Sequence, residues 1–157
     1  LADVAEYTDV FYIGGTKVGA MFGEAVVITN PALQTDFRSI IKQSGAMMAK
    51  GWLMGLQFEA LFENGLYFDI CRNANAQADK IRKCIEQLGY EFSVPGFTNQ
   101  LFPILPESLL EKIKEYVTFS SMEKVGEDRR VVRFCTSWAT TDEDVNFLID
   151  LLYKFSK

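Results

Sequence analysis

The sequence predicts a mixed α/β chain in which strands come first, helices fill the middle and an α+β unit closes the chain. Two short runs rich in β-branched and aromatic residues, 10–13 and 25–29, are typical of buried strands. Apolar residues then recur at helical spacing over residues 32–88. Beyond Gly89 strand-like and helix-like patterns alternate over short distances, which indicates one α+β unit.

The first strand ends at two adjacent glycines. Gly14 and Gly15 follow residues 10–13, where the backbone must turn tightly or approach another group closely. Residues 1–7 are typical of the end of a helix. We therefore predict a helix end, a strand, a turn that carries Thr16 and Lys17, and the second strand.

Proline and glycine divide the helical middle of the chain. Pro31 favours a helix start, and a helix is predicted over residues 32–49, with Gly51 breaking it. A second helix should begin near Trp52.

That second helix is predicted to be interrupted and then to resume. Asn64 and Gly65 interrupt the apolar pattern, which continues over residues 66–88. Gly89 is the predicted C-cap of this long helix.

The remaining residues predict three or four antiparallel strands and two helices. Strands are expected at 90–94 and 99–105, and a helix at 106–116. Residues 117–125 and 129–138 should form a hairpin around Gly126-Glu127-Asp128.

The last helix has a capping-box signature at its start. Thr140 is followed three residues later by Glu143. The predicted buried face of this helix consists of Val145, Leu148, Ile149, Leu152 and Phe155.

Composition narrows the class of protein. The 157 residues are 48% apolar, enough for a real core, and carry a net charge of −5, which argues against a nucleic-acid or anionic-membrane surface. Three cysteines without a C-x-x-C pair exclude a complete disulfide framework, argue against a zinc site and favour a reducing cytoplasm. Neither a leader in residues 1–20 nor a membrane-spanning run is predicted.

Lys17 is the leading chemical candidate. A lysine that follows an apolar strand and two glycines is placed like a lysine that forms a Schiff base with a carbonyl cofactor. A nucleotide P-loop would need G-x-x-x-x-G-K-[ST], and that spacing is absent here. An ordinary surface lysine in a hairpin turn is the competing interpretation. Thr16 could donate to a phosphate or merely cap the turn.

Arg133 is the second candidate. Alternation along a strand puts Val131, Arg133 and Cys135 on one face and the apolar Val132 and Phe134 on the other. The planar guanidinium suits bidentate capture of a carboxylate, which every amino acid carries. The alternative is a structural arginine that pairs with a glutamate or lies on an edge strand.

Five stretches together resemble the low-specificity threonine aldolases, which belong to the β-eliminating-lyase group of fold-type-I pyridoxal-phosphate enzymes. They are residues 8–27, which contain Ile13-Gly14-Gly15-Thr16-Lys17, and residues 42–45, 57–61, 98–103 and 132–138. The resemblance extends from Thr8 almost to the C-terminus. It is carried by the set, since each stretch alone is weakly specific.

The resemblance assigns roles to five residues. Lys17 would form the Schiff base with pyridoxal 5'-phosphate, and Thr16 would help to hold the phosphate. Arg133 matches the arginine that binds the substrate carboxylate, and Lys42 falls at a basic position near the substrate. Lys50 replaces what is often an arginine near the cofactor, and a lysine lacks the bidentate fork. For both lysines a solvated helix face is the open alternative.

The resemblance also implies that these residues are the C-terminal portion of a longer enzyme. The missing N-terminal portion would supply the phosphate loop, an aspartate and the imidazole that stacks on the cofactor, and the 157 residues contain no histidine. Residues 1–50 would complete the large cofactor-binding domain, and residues 89–157 would form the small α+β domain. The helices of residues 51–88 would connect the two domains.

The implied function is cleavage of L-threonine or allo-threonine to glycine and acetaldehyde by a cytoplasmic homodimer or homotetramer, with this portion inactive alone. Two alternatives stay open. One is another β-eliminating amino-acid lyase of the same fold, and the other is a non-catalytic α+β assembly domain. No metal, nucleic acid or membrane is implied.

Overall fold

The computed structural model describes residues 1–156, which divide into two compact units. The first unit is Leu1–Phe68 and the second begins at Asp69. The α-helices are α1 Ala2–Tyr7, α2 Phe37–Gln43, α3 Trp52–Phe62, α4 Leu66–Gln87, α5 Glu107–Ile113 and α6 Asp142–Phe155, and the strands are β1 Val10–Gly14, β2 Glu24–Ile28, β3 Gln100–Leu101, β4 Ile104–Pro106, β5 Ser120–Val125 and β6 Arg129–Cys135.

The first unit begins with a short helix and an antiparallel pair of strands. β1 and β2 pair in one unbroken register, from Val10 opposite Ile28 to Gly14 opposite Glu24. The predicted helix end and both predicted strands are confirmed, with bounds that differ by at most one residue. The segment between the strands contains a 3₁₀ turn, Thr16–Val18.

The prediction of one helix over residues 32–49 is wrong. A 3₁₀ turn, Pro31–Leu33, comes first and α2 follows as a separate seven-residue helix. Asp36 lies in the left-handed region at φ 55°, so the backbone cannot continue helically through it. Gly45 is also left-handed, at φ 71°, just after α2.

The predicted interruption and C-cap of the long helical region are confirmed. Asn64 and Gly65 adopt φ 53° and 76°, which separates α3 from α4. Gly89 is left-handed at φ 79°, and the Tyr90 amide donates to the Ile85 carbonyl at 3.1 Å. That backbone hydrogen bond is typical of a glycine-capped helix end.

The second unit is built around β6. β4 and β5 both pair with Arg129 and Arg130, so they lie along opposite edges of β6, and β3 pairs with its last two residues. Every pairing is antiparallel, as predicted. Helices α4, α5 and α6 contribute to one core with the sheet, including Ile85, Leu105, Ile113, Val132 and Leu152.

Two predicted strands before α5 differ from the structure. Residues 90–94 form no strand and make only a bridge between Phe92 and Pro103. Pro95 and Gly96 follow directly, and neither favours a paired strand. The predicted strand 99–105 is split into β3 and β4 at Pro103, which has no backbone N–H to donate.

The helix predicted at 106–116 is shorter, since α5 ends at Ile113, and Pro106 is its N-cap. The hairpin prediction is confirmed over β5 and β6, which are also shorter than the predicted strands.

The capping-box prediction is wrong by one residue. Thr141, not Thr140, is the N-cap of α6, and its side chain accepts from the Asp144 amide while Asp144 accepts from the Thr141 amide. Thr140 has another partner, since its hydroxyl accepts from the Ser137 amide at 2.9 Å. Glu143 is therefore not the N3 residue.

The predicted buried face of α6 is confirmed for Val145, Leu148 and Leu152, while Ile149 and Phe155 are half-buried against the core.

Across residues 1–156, no helix combines the length and the apolar character that crossing a bilayer requires.

Candidate functional site

Lys17 lies in a closed turn between β1 and β2. The Gly15 carbonyl accepts from the Val18 amide at 3.0 Å and from the Ala20 amide at 2.9 Å, which closes the turn on itself. Gly19 ends the 3₁₀ segment at φ 101°, a conformation that L side chains avoid. The side chains of Thr16 and Lys17 are both exposed, so the turn presents a hydroxyl and an amine side by side.

Gly15 has a φ of −114°, which any residue can adopt, so its backbone conformation does not require glycine. The space around it does. A Cβ at this position would lie 2.8 Å from the Ala20 Cβ and 3.0 Å from the Phe58 Cζ. At Gly14, in contrast, an added Cβ would meet nothing within 4 Å. The second glycine therefore lets the Lys17 turn pack against α3.

Polar contacts from two helices brace the same segment. The Gln57 side chain accepts from the Met21 amide at 2.8 Å and donates to the Phe22 carbonyl at 3.2 Å. The Tyr67 hydroxyl donates to the Gly14 carbonyl at 3.0 Å. Backbone on both sides of Lys17 is thus tied to α3 and α4 within the first unit, which holds the lysine in place.

The side chains in this turn fit a carbonyl cofactor that carries a phosphate. Within the described chain the Lys17 amine has no hydrogen bond or ion pair, so no acidic side chain competes for it. A primary amine held on a braced turn can condense with an aldehyde, and the adjacent Thr16 hydroxyl can donate to an anionic oxygen.

Lys42 and Lys50 lie in other parts of the first unit. Lys42 is exposed in the last turn of α2, and Lys50 is exposed just before α3. Among residues 1–156 neither amine forms an ion pair, and neither is hydrogen-bonded to Lys17 or Thr16. Their assignments to substrate and cofactor therefore stay predictions.

Arg133 lies in the middle of the second unit's sheet. Its backbone faces Ser120 of β5, and its Nη2 donates to the Ser120 Oγ at 3.2 Å. Its Nε is buried and has no hydrogen-bond partner in the described chain. An unpaired buried donor costs about 1–3 kcal/mol, so an oxygen acceptor supplied from outside would be stabilised here.

Arg130, three residues earlier on the same strand, shows what a structural arginine looks like. Its Nε donates to the Glu107 carboxylate at 3.0 Å, and its Nη2 lies 2.9 Å from the same oxygen. Arg133 has no such carboxylate partner within residues 1–156. Arg133 also lies on a central strand. The two arrangements expected of a structural arginine, a glutamate partner and a place on an edge strand, therefore do not apply to Arg133 in the described residues.

The Arg133 side chain lines an open cleft of about 590 Å³ in the second unit. Four residues that carry hydroxyl groups line it as well: Thr118, Ser120, Ser137 and Thr140. Asp144 also lines this cleft, and hydrogen bonds from the backbone and hydroxyl of Thr141 hold the pKa of that carboxyl below its usual value. The cleft therefore contains a cation without an acidic partner, several hydroxyl-bearing residues and one carboxylate, and Arg133 is the group in it that suits a small anion.

Two of the stretches that carry the family resemblance meet at this sheet. The Asn99 side chain donates to the Thr136 carbonyl at 2.7 Å, and the Thr136 amide donates to the Asn99 carbonyl at 3.0 Å. The buried Thr136 hydroxyl donates to the Ala74 carbonyl of α4 at 2.7 Å. These contacts anchor the end of β6 beside Arg133.

Comparison with known proteins adds evidence independent of this geometry. No family model matches the chain. A low-specificity L-threonine aldolase from Pseudomonas sp. (strain NCIMB 10558) is 29% identical over 145 residues, and that of Pseudomonas aeruginosa is 28% identical over 145 residues. Each alignment covers 89% of this chain. The chain is homologous to the low-specificity L-threonine aldolases.

A solved threonine aldolase from Leishmania major extends this homology to the structure. It superposes with a TM-score of 0.93 and 39% identity over 99% of this chain. The predicted fold class is therefore confirmed: the two units correspond to a portion of a fold-type-I threonine aldolase. The chain spans 40% of the length of the Pseudomonas relatives and 46% of the Leishmania chain, consistent with the C-terminal portion that the resemblance implies.

Sequence reasoning missed three residues that contact the candidate residues or the backbone beside them, two in the first unit and one in the second. Gln57 belongs to a stretch that carried the resemblance, although nothing in the sequence showed that it binds the Lys17 segment. Tyr67 looked like one more apolar helix position. Ser120 carried no signal, because its place opposite Arg133 depends on strand register.

Proposed function

We propose that the complete protein is a pyridoxal-phosphate-dependent aldehyde-lyase that cleaves L-threonine or allo-threonine to glycine and acetaldehyde. The observation that carries this proposal is the match to the Leishmania threonine aldolase, at TM-score 0.93 and 39% identity over 99% of the chain. The two Pseudomonas relatives, both named as low-specificity L-threonine aldolases, support it. Residues 1–157 alone are proposed to be inactive, because the stacking imidazole of the family is not among them.

In this proposal the first unit binds the cofactor. The Lys17 amine would hold pyridoxal 5'-phosphate by condensing with its aldehyde group, with loss of water, and the Thr16 hydroxyl would donate to a phosphate oxygen. Lys50 adds a positive charge for the phosphate. When bound, the cofactor supplies an electron sink for cleavage of the bond between Cα and Cβ. The braced turn supports this role, because Gln57 and Tyr67 hold the backbone that carries Lys17.

The second unit is proposed to bind the substrate through its carboxylate. Arg133 offers N–H donors without an acidic partner in the described chain, and its buried Nε has no acceptor. A carboxylate oxygen would satisfy such donors and would orient the amino acid. Lys42 is proposed to support substrate binding as a second positive charge. The contact between Arg133 and the carboxylate would fix which end of a small amino acid enters the site.

The complete protein is further proposed to be a cytoplasmic homodimer or homotetramer in which the N-terminal portion completes the site. The lack of a C-x-x-C pair among the three cysteines supports a reducing compartment. Size-exclusion chromatography with light scattering measures the oligomeric state directly.

The cofactor assignment is tested by borohydride reduction of the complete protein loaded with pyridoxal 5'-phosphate. Peptide mapping is expected to find the reduced pyridoxyl group on Lys17. A label on Lys42 or Lys50 would overturn the assignment. Product analysis with threonine, serine and aromatic amino acids then identifies the reaction: glycine and acetaldehyde from threonine support the aldolase, and elimination products would indicate another lyase of this fold.

The carboxylate assignment is tested by Arg133→Lys. We expect KM for threonine to rise about ten- to a hundredfold, the effect of losing a hydrogen bond between charged groups. Arg130→Lys is the matched control, because Arg130 is on the same strand but already pairs with Glu107. An equal rise in KM in both variants, or no rise in the Arg133 variant, would refute a specific role for Arg133.

A further inference from the structure

The Arg133 guanidinium is held by one side chain, that of Ser120. The Nη2 to Oγ distance is 3.2 Å, and within residues 1–156 no other hydrogen bond or ion pair engages this guanidinium. An arginine side chain otherwise has several rotatable bonds and high rotamer entropy. A single hydroxyl therefore limits where the donors of Arg133 point.

A β-bulge decides which residue supplies that hydroxyl. Near the hairpin turn, Val125 pairs with Arg129 and Lys124 pairs with Arg130. If that register continued unbroken, Ser121 would stand opposite Arg133. The register shifts between Ser121 and Lys124, and Ser120 stands there instead.

The shift also changes which serine shares a face with the arginine. Residues directly opposite in an antiparallel pair project to the same face, so Ser120 contacts Arg133 while Ser121 stands opposite Val132. Bulges commonly re-aim side chains beside active sites. Here the chain has two adjacent serines, and the bulge selects one of them.

We propose that Ser120 is the positioning residue for the substrate carboxylate, acting by orienting the Arg133 fork before the amino acid binds. The inference rests on the proposed function, since it takes Arg133 as the carboxylate-binding residue. Pre-orientation strengthens binding because the guanidinium then loses less freedom when the carboxylate arrives. Ser120 itself needs no contact with the reacting atoms.

The test measures kcat and KM for threonine in three variants of the complete, cofactor-loaded protein. Ser120→Ala is expected to raise KM about five- to tenfold, since the guanidinium must then be ordered when the substrate binds, and to change kcat less than twofold. Ser121→Ala is the matched control and should leave both constants within about twofold of wild type. Ser120→Thr keeps the hydroxyl and should keep KM within about threefold.

A second measurement separates positioning from general damage to the fold. Inhibition by glycine, which carries the carboxylate, should weaken about as much as KM in Ser120→Ala. Inhibition by glycinamide, which lacks the carboxylate, should change by less than about twofold. Equal weakening of both, or a drop in kcat without a change in KM, would overturn the inference.

Arg133→Lys distinguishes failure of this inference from failure of the proposed function. If that variant raises KM and Ser120→Ala does not, Ser120 is not a positioning residue while the carboxylate site stands. If wild-type protein cleaves no hydroxy amino acid, the proposed function itself fails and the inference falls with it.

Discussion

Replacing Gly15 by alanine should destabilise the first unit through a steric clash, although the backbone conformation would accept the new residue. The added Cβ would lie 2.8 Å from the Ala20 Cβ and 3.0 Å from the Phe58 Cζ, whereas carbon atoms pack favourably at about 3.5–4.0 Å. Ala20 cannot withdraw easily, because its amide is hydrogen-bonded to the Gly15 carbonyl at 2.9 Å. Overpacking of this kind costs about 1–3 kcal/mol.

The assay is urea denaturation of the complete protein, followed by fluorescence and by absorbance of the proposed cofactor. Gly15→Ala is expected to lower the unfolding free energy by about 1–3 kcal/mol and to weaken cofactor retention, because Ala20 and Phe58 must move and the Lys17 turn moves with them. Gly14→Ala is the control, since its Cβ would meet nothing within 4 Å and should cost less than about 0.5 kcal/mol. If both variants unfold at the same urea concentration as wild type, the steric argument is refuted.

Two further predictions concern other contacts. Hydrogen bonds from Thr141 lower the pKa of Asp144, and Gln77 and Lys80 lower that of Asp142. Both carboxylates therefore stabilise the fold at pH values above the ordinary carboxyl pKa of about 3.9. This stabilisation is lost as the pH falls through their lower folded pKa values. Urea titrations from pH 6 to 2.5 should show this loss, and Asp144→Asn should make the dependence shallower; an unchanged slope would contradict it. Gln57→Ala should remove about 0.5–1.5 kcal/mol of local stability and speed hydrogen exchange of the Met21 amide about tenfold. The amides of β1 serve as the internal reference. Unchanged exchange at Met21 would mean that Gln57 does not hold the turn in place.

Local patterns in the sequence were enough to predict much of the architecture. The glycine-bounded strands β1 and β2, the break at Asn64 and Gly65, and the cap at Gly89 all depend on residues a few positions apart. The α6 face follows from helical spacing in the same way. Such features can be predicted from the sequence because one residue type, or one periodic pattern of apolar residues, dominates the local free energy.

The errors arose where two local signals competed or where distant residues decided the outcome. Thr140 and Thr141 both have an acidic residue three positions later, and the cap went to Thr141 because the Thr140 hydroxyl is bonded to Ser137. Asp36 in the left-handed region broke the helix predicted over 32–49, and aspartate alone is a weak signal for that conformation.

The sequence predicted the candidate site residues but not the side chains that contact them. Lys17 and Arg133 stood out by residue type and by their strands. Ser120 did not, because an unbroken hairpin register would have put Ser121 opposite Arg133. Gln57 was equally hidden, since its contact with Met21 joins residues 36 positions apart. Side chains that orient others are recognised by their geometry, which spacing along the chain does not encode.

The central position of β6 has an evolutionary consequence. Its residues are hydrogen-bonded to β4 along one edge and to β5 along the other, so adding or deleting one residue within it would misalign two pairings at once. β5, in contrast, already absorbs a register shift within its own length. Homologues of different length should therefore place their insertions and deletions in β5 or the loops, and keep the seven positions Arg129–Cys135 free of gaps.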